Sequence, residues 1–94
     1  MDLKIFENLA TEKTEIEQFL AAPDAFSDPD FAAKSRRLAE IEKILNLKSS
    51  IDQHEKLLTE ARELTNDPEL GSLAQADVET YTAKLAEETA ALEE

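Results

Sequence analysis

Several residue types that common site chemistries require are missing from this chain or nearly so. Its 94 residues contain no cysteine and no tryptophan, one glycine and one histidine. Without cysteine there are no disulfides and no thiolate metal sites, and one glycine cannot build a phosphate-cradling loop. His54 falls three residues from both Ile51 and Leu57 on a predicted helix, so we expect it at the edge of an apolar stripe. The sequence therefore predicts no catalytic residue and no bound cofactor or metal.

Signals for secretion or membrane insertion are also absent from the sequence. Residues 1–7 lack a basic region, and Glu7 interrupts their apolar side chains, so they do not resemble a signal peptide. No apolar stretch approaches the roughly 20 residues that cross a bilayer. Together with the lack of cysteine, these features predict a cytoplasmic protein that makes no contact with a membrane.

Acidic side chains outnumber basic ones by 22 to 10, and they are unevenly distributed. Residues 1–33 carry a formal charge of −6 and residues 67–94 carry −7, whereas residues 34–62 carry +2. Acidic flanks that pack beside the middle segment are attracted to it, although each exposed ion pair contributes only about a few tenths of a kcal/mol. Such an acidic surface repels phosphate, so we expect no direct contact with nucleic acid.

Two Asp-Pro sequences, Asp28-Pro29 and Asp67-Pro68, have the order expected at the start of a helix. The aspartate carboxylate accepts hydrogen bonds from free backbone N–H groups of the first turn, and proline suits the first helical position. Apolar residues recur every three or four positions after each of them, as in amphipathic helices. The sequence therefore predicts three helices, at 2–22, 29–65 and 68–94.

These helix lengths define the expected architecture. A helix over residues 29–65 is roughly 55 Å long at 1.5 Å per residue, which is too long for the core of a compact chain of this size. We therefore predict an all-α fold, an elongated three-helix bundle built on a long antiparallel helical hairpin, forming a single domain over residues 1–94. No helix-stopping residue follows the last apolar positions, so we also expect a fragment of a longer protein.

Two apolar features of this architecture are predicted in detail. Phe26, in the connection after the first helix, is expected to pack back on the core. The third helix is expected to have an apolar seam, in which Glu88 occupies a position that suits an apolar residue. The residues of the predicted seam are Leu73, Val78, Tyr81, Leu85 and Leu92.

The carboxylates near the second Asp-Pro sequence have two interpretations. Asp67, Glu69 and Asp77 could in principle gather a hard cation such as Mg²⁺. Helix capping and the helix dipole account for Asp67 and Glu69 without a metal. We therefore predict that Asp67 and Glu69 stabilise the start of the third helix and do not bind a metal ion.

Three segments, taken in order and spacing, resemble a known family over essentially the whole chain. They are similar to the N-terminal domain of bacterial class-1 peptide chain release factors, and more to the factor that reads UAA and UAG than to the one that reads UAA and UGA. Tyrosines that the family often carries near residues 47–50 are absent, which indicates a divergent branch. The three segments are Ser27-Asp28-Pro29-Asp30-Phe31, Leu38-Ala39-Glu40-Ile41-Glu42 and Asn66-Asp67-Pro68-Glu69-Leu70-Gly71-Ser72-Leu73-Ala74.

The resemblance implies a role in translation termination without catalysis by this chain. In the family, the codon-reading tripeptide and the Gly-Gly-Gln loop that triggers ester hydrolysis belong to other domains. The N-terminal domain projects toward the base of the ribosomal stalk, where it meets ribosomal protein. As the contact surface we predict the turn around Asp67, Glu69, Leu70 and Leu73, at the far end of the hairpin from residue 94.

Two other functions fit the same sequence. A stand-alone helical adaptor, similar to a coiled coil, would share the apolar periodicity. An acidic-tipped hairpin could instead insert into RNA polymerase, where Asp67 and Glu69 would supply carboxylates to a Mg²⁺ ion. We rank the hairpin factor lower, because capping already explains both acids.

Overall fold

A computed structural model describes residues 3–93, which fold into helices joined by short connections. No strand occurs in these residues, so the predicted all-α class is confirmed. The outermost residues of the predicted first and third helices, Asp2 and Glu94, lie outside the described range. The elements in chain order are α1 (Leu3–Leu20), a 3₁₀-helix (Ala25–Ser27), α2 (Phe31–Leu64) and α3 (Gly71–Glu93).

The chain forms two compact units, Met1–Asn46 and Leu47–Glu94. The boundary falls within α2, so this helix contributes its N-terminal part to the first unit and its C-terminal part to the second. In the first unit α1, the 3₁₀-helix and α2 share a small core of buried apolar side chains. This core contains Ile16, Ala25 and Ile41, of which Ile41 is fully buried.

Two cations of α2 connect it to α1 in the first unit. The Arg37 guanidinium binds Glu12 with Nε 2.6 Å from Oε2 and Nη2 3.0 Å from Oε1. Such a bidentate ion pair fixes both the distance between the two side chains and the orientation of the guanidinium relative to the carboxylate. The hydrogen bonds from Arg37 hold the pKa of the Glu12 carboxyl below its usual value. One turn earlier, the Lys34 ammonium lies 5.7 Å from the centroid of the Phe19 ring.

The prediction that Phe26 packs back on the core is wrong. After α1 ends at Leu20, the chain forms the 3₁₀-helix, and the N–H of Asp28 donates to the carbonyl of Ala25 at 2.9 Å. Neighbouring side chains of a 3₁₀-helix lie about a third of a turn apart, so only one of the pair Ala25 and Phe26 faces inward. Ala25 takes the buried position, and Phe26 remains 74% exposed.

The first Asp-Pro sequence forms a capped turn ahead of α2. Oδ1 of Asp28 accepts a hydrogen bond of 2.8 Å from the N–H of Asp30. The carbonyl of Asp28 accepts from the N–H of Phe31 at 3.0 Å. Because this second bond spans three residues rather than four, a tight turn precedes the regular helix. That is why α2 begins at Phe31, two residues after the predicted start.

In the second unit, α3 runs antiparallel to the C-terminal part of α2. Gly71 approaches Thr65 beside the turn, and further along α3 Glu88 is hydrogen-bonded to Ser50. Residue numbers that rise along α3 therefore fall along the facing part of α2, and the predicted antiparallel helical hairpin is confirmed. Its buried side chains are Ile51, Leu58 and Ala61 of α2 and Ala74 of α3.

The apolar seam of α3 begins one residue later than predicted. Leu73 is 65% exposed, whereas Ala74 is buried. The backbones approach closely at the adjoining turn, so the position facing α2 suits a small side chain. Steps of four and three residues from Ala74 then reach positions that are all partly buried, including Glu88. These positions are Val78, Tyr81, Leu85, Glu88 and Leu92.

Candidate interaction surface

The second Asp-Pro sequence forms a closed turn between α2 and α3. Oδ1 of Asp67 accepts hydrogen bonds from the N–H groups of Glu69, at 2.8 Å, and Leu70, at 2.9 Å. These bonds, Leu70 first and then Glu69, hold the pKa of the Asp67 carboxyl below its ordinary value of 3.8. The Asp67 carbonyl accepts from the N–H of Gly71 at 2.9 Å. Asp67 therefore acts as the N-cap predicted from the sequence, and regular α3 follows at Gly71.

The end of α2 fixes the other side of the turn. The Thr65 hydroxyl donates to the carbonyl of Arg62 at 2.8 Å, and the N–H of Asp67 donates to the carbonyl of Leu64 at 3.0 Å. Gly71 approaches so closely that a Cβ at this position would lie 2.7 Å from the Thr65 carbonyl oxygen. The single glycine thus stands where two backbone segments meet.

Three leucines at this turn project into solvent. Leu64 is 43% exposed, Leu70 45% and Leu73 65%, and Glu69 beside them is also exposed. We call Leu64, Glu69, Leu70 and Leu73 the turn surface. Of the four predicted contact residues, Glu69, Leu70 and Leu73 belong to it, whereas Asp67 is engaged with the backbone. The sequence pattern did not identify Leu64, because its spacing only broadens the apolar face of α2.

A polar cluster lies between α2 and α3 in the second unit. Nδ1 of His54 donates to Oε1 of Glu88 at 2.6 Å, and the Ser50 hydroxyl donates to Oε2 of Glu88. The His54 ring stacks on Tyr81, with centroids 5.8 Å apart and planes inclined by 25°. The hydrogen bonds from Ser50 and His54 hold the pKa of Glu88 below its ordinary value of 4.5, against the opposing effect of partial burial.

Ser50, His54 and Glu88 are residue types of a hydrolytic triad, but their connection is different. In a triad the histidine stands between the nucleophile and the acid, so that it can accept the nucleophile's proton. Here Glu88 stands between Ser50 and His54 and receives a hydrogen bond from each. The cluster therefore joins two helices rather than activating a serine. The sequence analysis did not identify this cluster, although the four-residue spacing of Ser50 and His54 places two donors on one helix face.

The described residues 3–93 contain no group of three or more histidine, aspartate or glutamate side chains that could hold a metal ion. At the turn, Oδ1 of Asp67 already accepts two backbone hydrogen bonds. None of the helices in the same range combines the length and the apolar character of a membrane span.

Comparison with known families gives a match that covers most of the chain. The PCRF domain family matches residues 9–94. The chain therefore belongs to the PCRF domain family. No solved structure matches it.

Membership in this family confirms the coarser part of the resemblance. The PCRF domain identifies an N-terminal region of a peptide chain release factor. It gives the chain a role in translation termination as part of a release factor, with the ribosome as the partner in general.

Proposed function

We propose that this chain is the non-catalytic module by which a bacterial release factor docks on ribosomal protein near the stalk base. We further propose that the factor is of the type that reads UAA and UAG and that it acts in the cytoplasm. The contact is made by the turn surface, with Leu70 and Leu73 as apolar anchors and Glu69 beside them. Asp67 does not itself contact the partner; its hydrogen bonds stabilise the backbone of the turn that carries the contact residues.

The observation that carries this proposal is the exposure of Leu70 and Leu73 on a turn that is already ordered. Neighbouring apolar side chains on an exposed surface are typical of protein contact sites. The hydrogen bonds of Asp67 and the close approach of Gly71 to Thr65 fix the backbone before a partner arrives. Docking on such a surface loses less conformational freedom than docking on a mobile loop.

Electrostatics supports a protein partner over nucleic acid. Residues 67–94 carry a formal charge of −7 and include a single basic side chain, Lys84. A phosphate backbone is repelled by such a segment, whereas a basic protein surface is attracted to it. Glu69 places one of these charges next to the exposed leucines. A contact of mixed character, apolar in the centre and acidic at the edge, follows from this arrangement.

The proposal assigns no reaction to this chain. A Gly-Gly-Gln loop needs two glycines, and the only glycine is Gly71. The polar cluster of Ser50, His54 and Glu88 lacks the histidine–serine contact of a nucleophilic site. We therefore expect no release of peptide from terminated ribosomes when this chain is added by itself. Release above the background of buffer alone would contradict this assignment.

Site-specific cross-linking tests the docking surface. Because the chain contains no cysteine, Glu69→Cys introduces a single thiol for a photoactivatable label. Glu17→Cys is the matched control, since Glu17 is also an exposed acid but lies on α1. We expect the label at position 69 to cross-link to a ribosomal protein of the stalk base, and the label at position 17 to give no such product. Cross-linking of position 69 to ribosomal RNA instead would overturn the proposed contact.

Ribosome binding of leucine variants tests the same surface independently. Leu70→Ser combined with Leu73→Ser should weaken binding at least about tenfold, since both anchors are removed. Leu3→Ser combined with Ile5→Ser is the control, because Leu3 and Ile5 are exposed apolar residues of α1. Equal binding by both double variants would rule out the turn surface as the docking site.

The two alternative functions make different predictions for simple measurements. An adaptor that acts through self-association should sediment as a tight dimer at low micromolar concentration. A hairpin factor for RNA polymerase should lose all stimulation of the polymerase when Asp67→Asn and Glu69→Gln are combined. Under the docking proposal the chain sediments as a monomer, and this double variant binds ribosomes more weakly without affecting any polymerase reaction.

A further inference from the structure

The connection between α1 and α2 presents a second exposed apolar feature, in the first unit. The Phe26 side chain is 74% exposed. Its two neighbours in sequence, Ala25 and Ser27, line a groove of about 380 Å³. We call Ala22, Asp24, Phe26, Asp28 and Pro29 the Phe26 surface. The groove is lined by Phe19, Ala22, Asp24, Ala25, Ser27, Asp28 and Pro29.

The backbone of this connection is tightly ordered. The N–H of Ala25 donates to the carbonyl of Ala22 at 3.1 Å, and the N–H of Ser27 donates to the carbonyl of Asp24 at 3.0 Å. The buried side chain of Ala25 anchors the segment from below. A large aromatic side chain is thus presented on a stiff support, so that little conformational freedom is lost when a partner covers it.

Charge selects the chemistry of the partner. Residues 21–30 include Asp24, Asp28 and Asp30 and no basic side chain, and the Lys34 ammonium near the groove already lies over the ring of Phe19. Asp28 uses Oδ1 to cap its own turn, whereas the side chain of Asp24 makes no capping hydrogen bond. An acidic partner is repelled here, and that includes both nucleic acid and a second copy of this chain, whose formal charge is −12. A basic protein segment is attracted.

We propose that the Phe26 surface binds a lysine- or arginine-rich segment of a partner protein, with a cationic group over the Phe26 ring and an apolar side chain in the groove. The chain already uses this chemistry internally, because the Lys34 ammonium lies 5.7 Å from the Phe19 ring centroid. Asp24, which lines the same groove, supplies a carboxylate of opposite charge to the cation. This second docking surface goes beyond the proposed ribosomal contact, which uses the second unit, so either can fail without the other.

Nuclear magnetic resonance with a defined probe tests this proposal. The isotope-labelled chain is titrated with a short amphipathic lysine–leucine peptide and with its glutamate–leucine counterpart. We expect the basic peptide to shift the signals of residues 22–29, whether or not it also shifts those of the turn surface, and the acidic peptide to shift neither. Phe26→Ala should weaken the affinity about tenfold, whereas Phe26→Trp should retain it. Phe26 is exposed, so neither variant disturbs the core.

A matched variant distinguishes this surface from unspecific attraction, and the residues whose signals shift distinguish it from the turn surface. Leu3→Ala removes an exposed apolar side chain of α1 that belongs to neither surface, and this variant should bind the basic peptide as the parent chain does. Equal affinity of Phe26→Ala and the parent chain would overturn the proposal. Shift changes spread over every acidic helix face would also overturn it. Self-association of the chain that Phe26→Ala abolishes would do the same, because a second copy of the chain would then occupy the Phe26 surface.

Discussion

Glu88 of α3 accepts a hydrogen bond of 2.6 Å from His54 of α2 at a position where the spacing of the seam calls for an apolar residue. Both side chains are largely covered, with 16% of Glu88 and 18% of His54 exposed. Oε2 of the same carboxylate accepts from the Ser50 hydroxyl. Each carboxylate oxygen therefore has a donor from α2, and the cost of partly burying a charge is offset by these two bonds.

The hydrogen bonds that Glu88 accepts in the polar cluster predict that the free energy of unfolding of the chain depends on pH. The pKa of Glu88 is lower in the folded chain than the ordinary 4.5, so the stabilisation is complete above that value and is lost as the pH falls through the folded value. Glu88→Gln mimics the protonated acid. We expect this variant to be less stable than the parent chain at pH 7, with the two free energies of unfolding converging at acid pH, as measured by urea titration followed by circular dichroism.

The neighbouring acid provides the control for this experiment. Glu87→Gln removes the same charge from an exposed position of α3. Its difference from the parent chain should be small, within about 0.5 kcal/mol, as for other surface substitutions. If the free energies of unfolding of Glu88→Gln and the parent chain differ by the same amount from neutral to acid pH, the ionised Glu88 carboxylate does not stabilise the fold through these hydrogen bonds.

Local chemistry allowed the helix starts to be predicted to within two residues for α2 (29 against the observed Phe31) and three for α3 (68 against the observed Gly71). Contacts distant in sequence decided which apolar side chains are buried. The caps of Asp28 and Asp67 need only the residues that follow them, so their sequence signals suffice. Phe26 was misplaced because the choice between it and Ala25 depends on how the 3₁₀-helix sits on α1. Leu73 was misplaced because the close approach of Gly71 to α2 determines which face of α3 turns inward.

The same distinction applies to the candidate site. Exposure of Leu70 and Leu73 depends on the turn as a whole, and the sequence identified both residues only through the family resemblance. Glu88 was recognisable as an interruption of the seam, but its partners on α2 are 34 and 38 residues away. No periodic pattern connects residues so far apart, because the register of two helices is set by the turn that joins them.

Removing the cap at Asp67 should loosen the turn surface. In Asp67→Ala the N–H groups of Glu69 and Leu70 lose their acceptor, so we expect their amide hydrogens to exchange faster. Asp67→Asn should retain slow exchange, because asparagine is an equally good N-cap. Asp77→Ala serves as the control for removing an acid from α3. Unchanged exchange at Glu69 and Leu70 in the alanine variant would show that these bonds do not hold the turn.

For Gly71→Ala we predict a loss of stability, whereas helix propensity alone predicts a gain. Alanine stabilises an exposed helix by about 1 kcal/mol relative to glycine, but at position 71 its Cβ would lie 2.7 Å from the Thr65 carbonyl oxygen. Backbone has to shift to relieve that contact. We therefore expect Gly71→Ala to lower the free energy of unfolding by about 1–3 kcal/mol. Ser72→Ala, at the exposed next position, should change it little. A more stable Gly71→Ala variant would mean that α2 and α3 separate freely at the turn.

Ile41 is the residue whose truncation should cost the first unit most. It is fully buried, so Ile41→Ala removes apolar contacts and leaves a cavity, at a cost of about 2–5 kcal/mol. That is a large share of the total for a small domain. If the alanine variant does not fold, Ile41→Val should still fold and lose about 0.5–1.5 kcal/mol. Glu42→Ala, at the exposed neighbouring position, is the control. Urea titrations in which Ile41→Val and Glu42→Ala give the same midpoint as the parent chain would exclude Ile41 from the core.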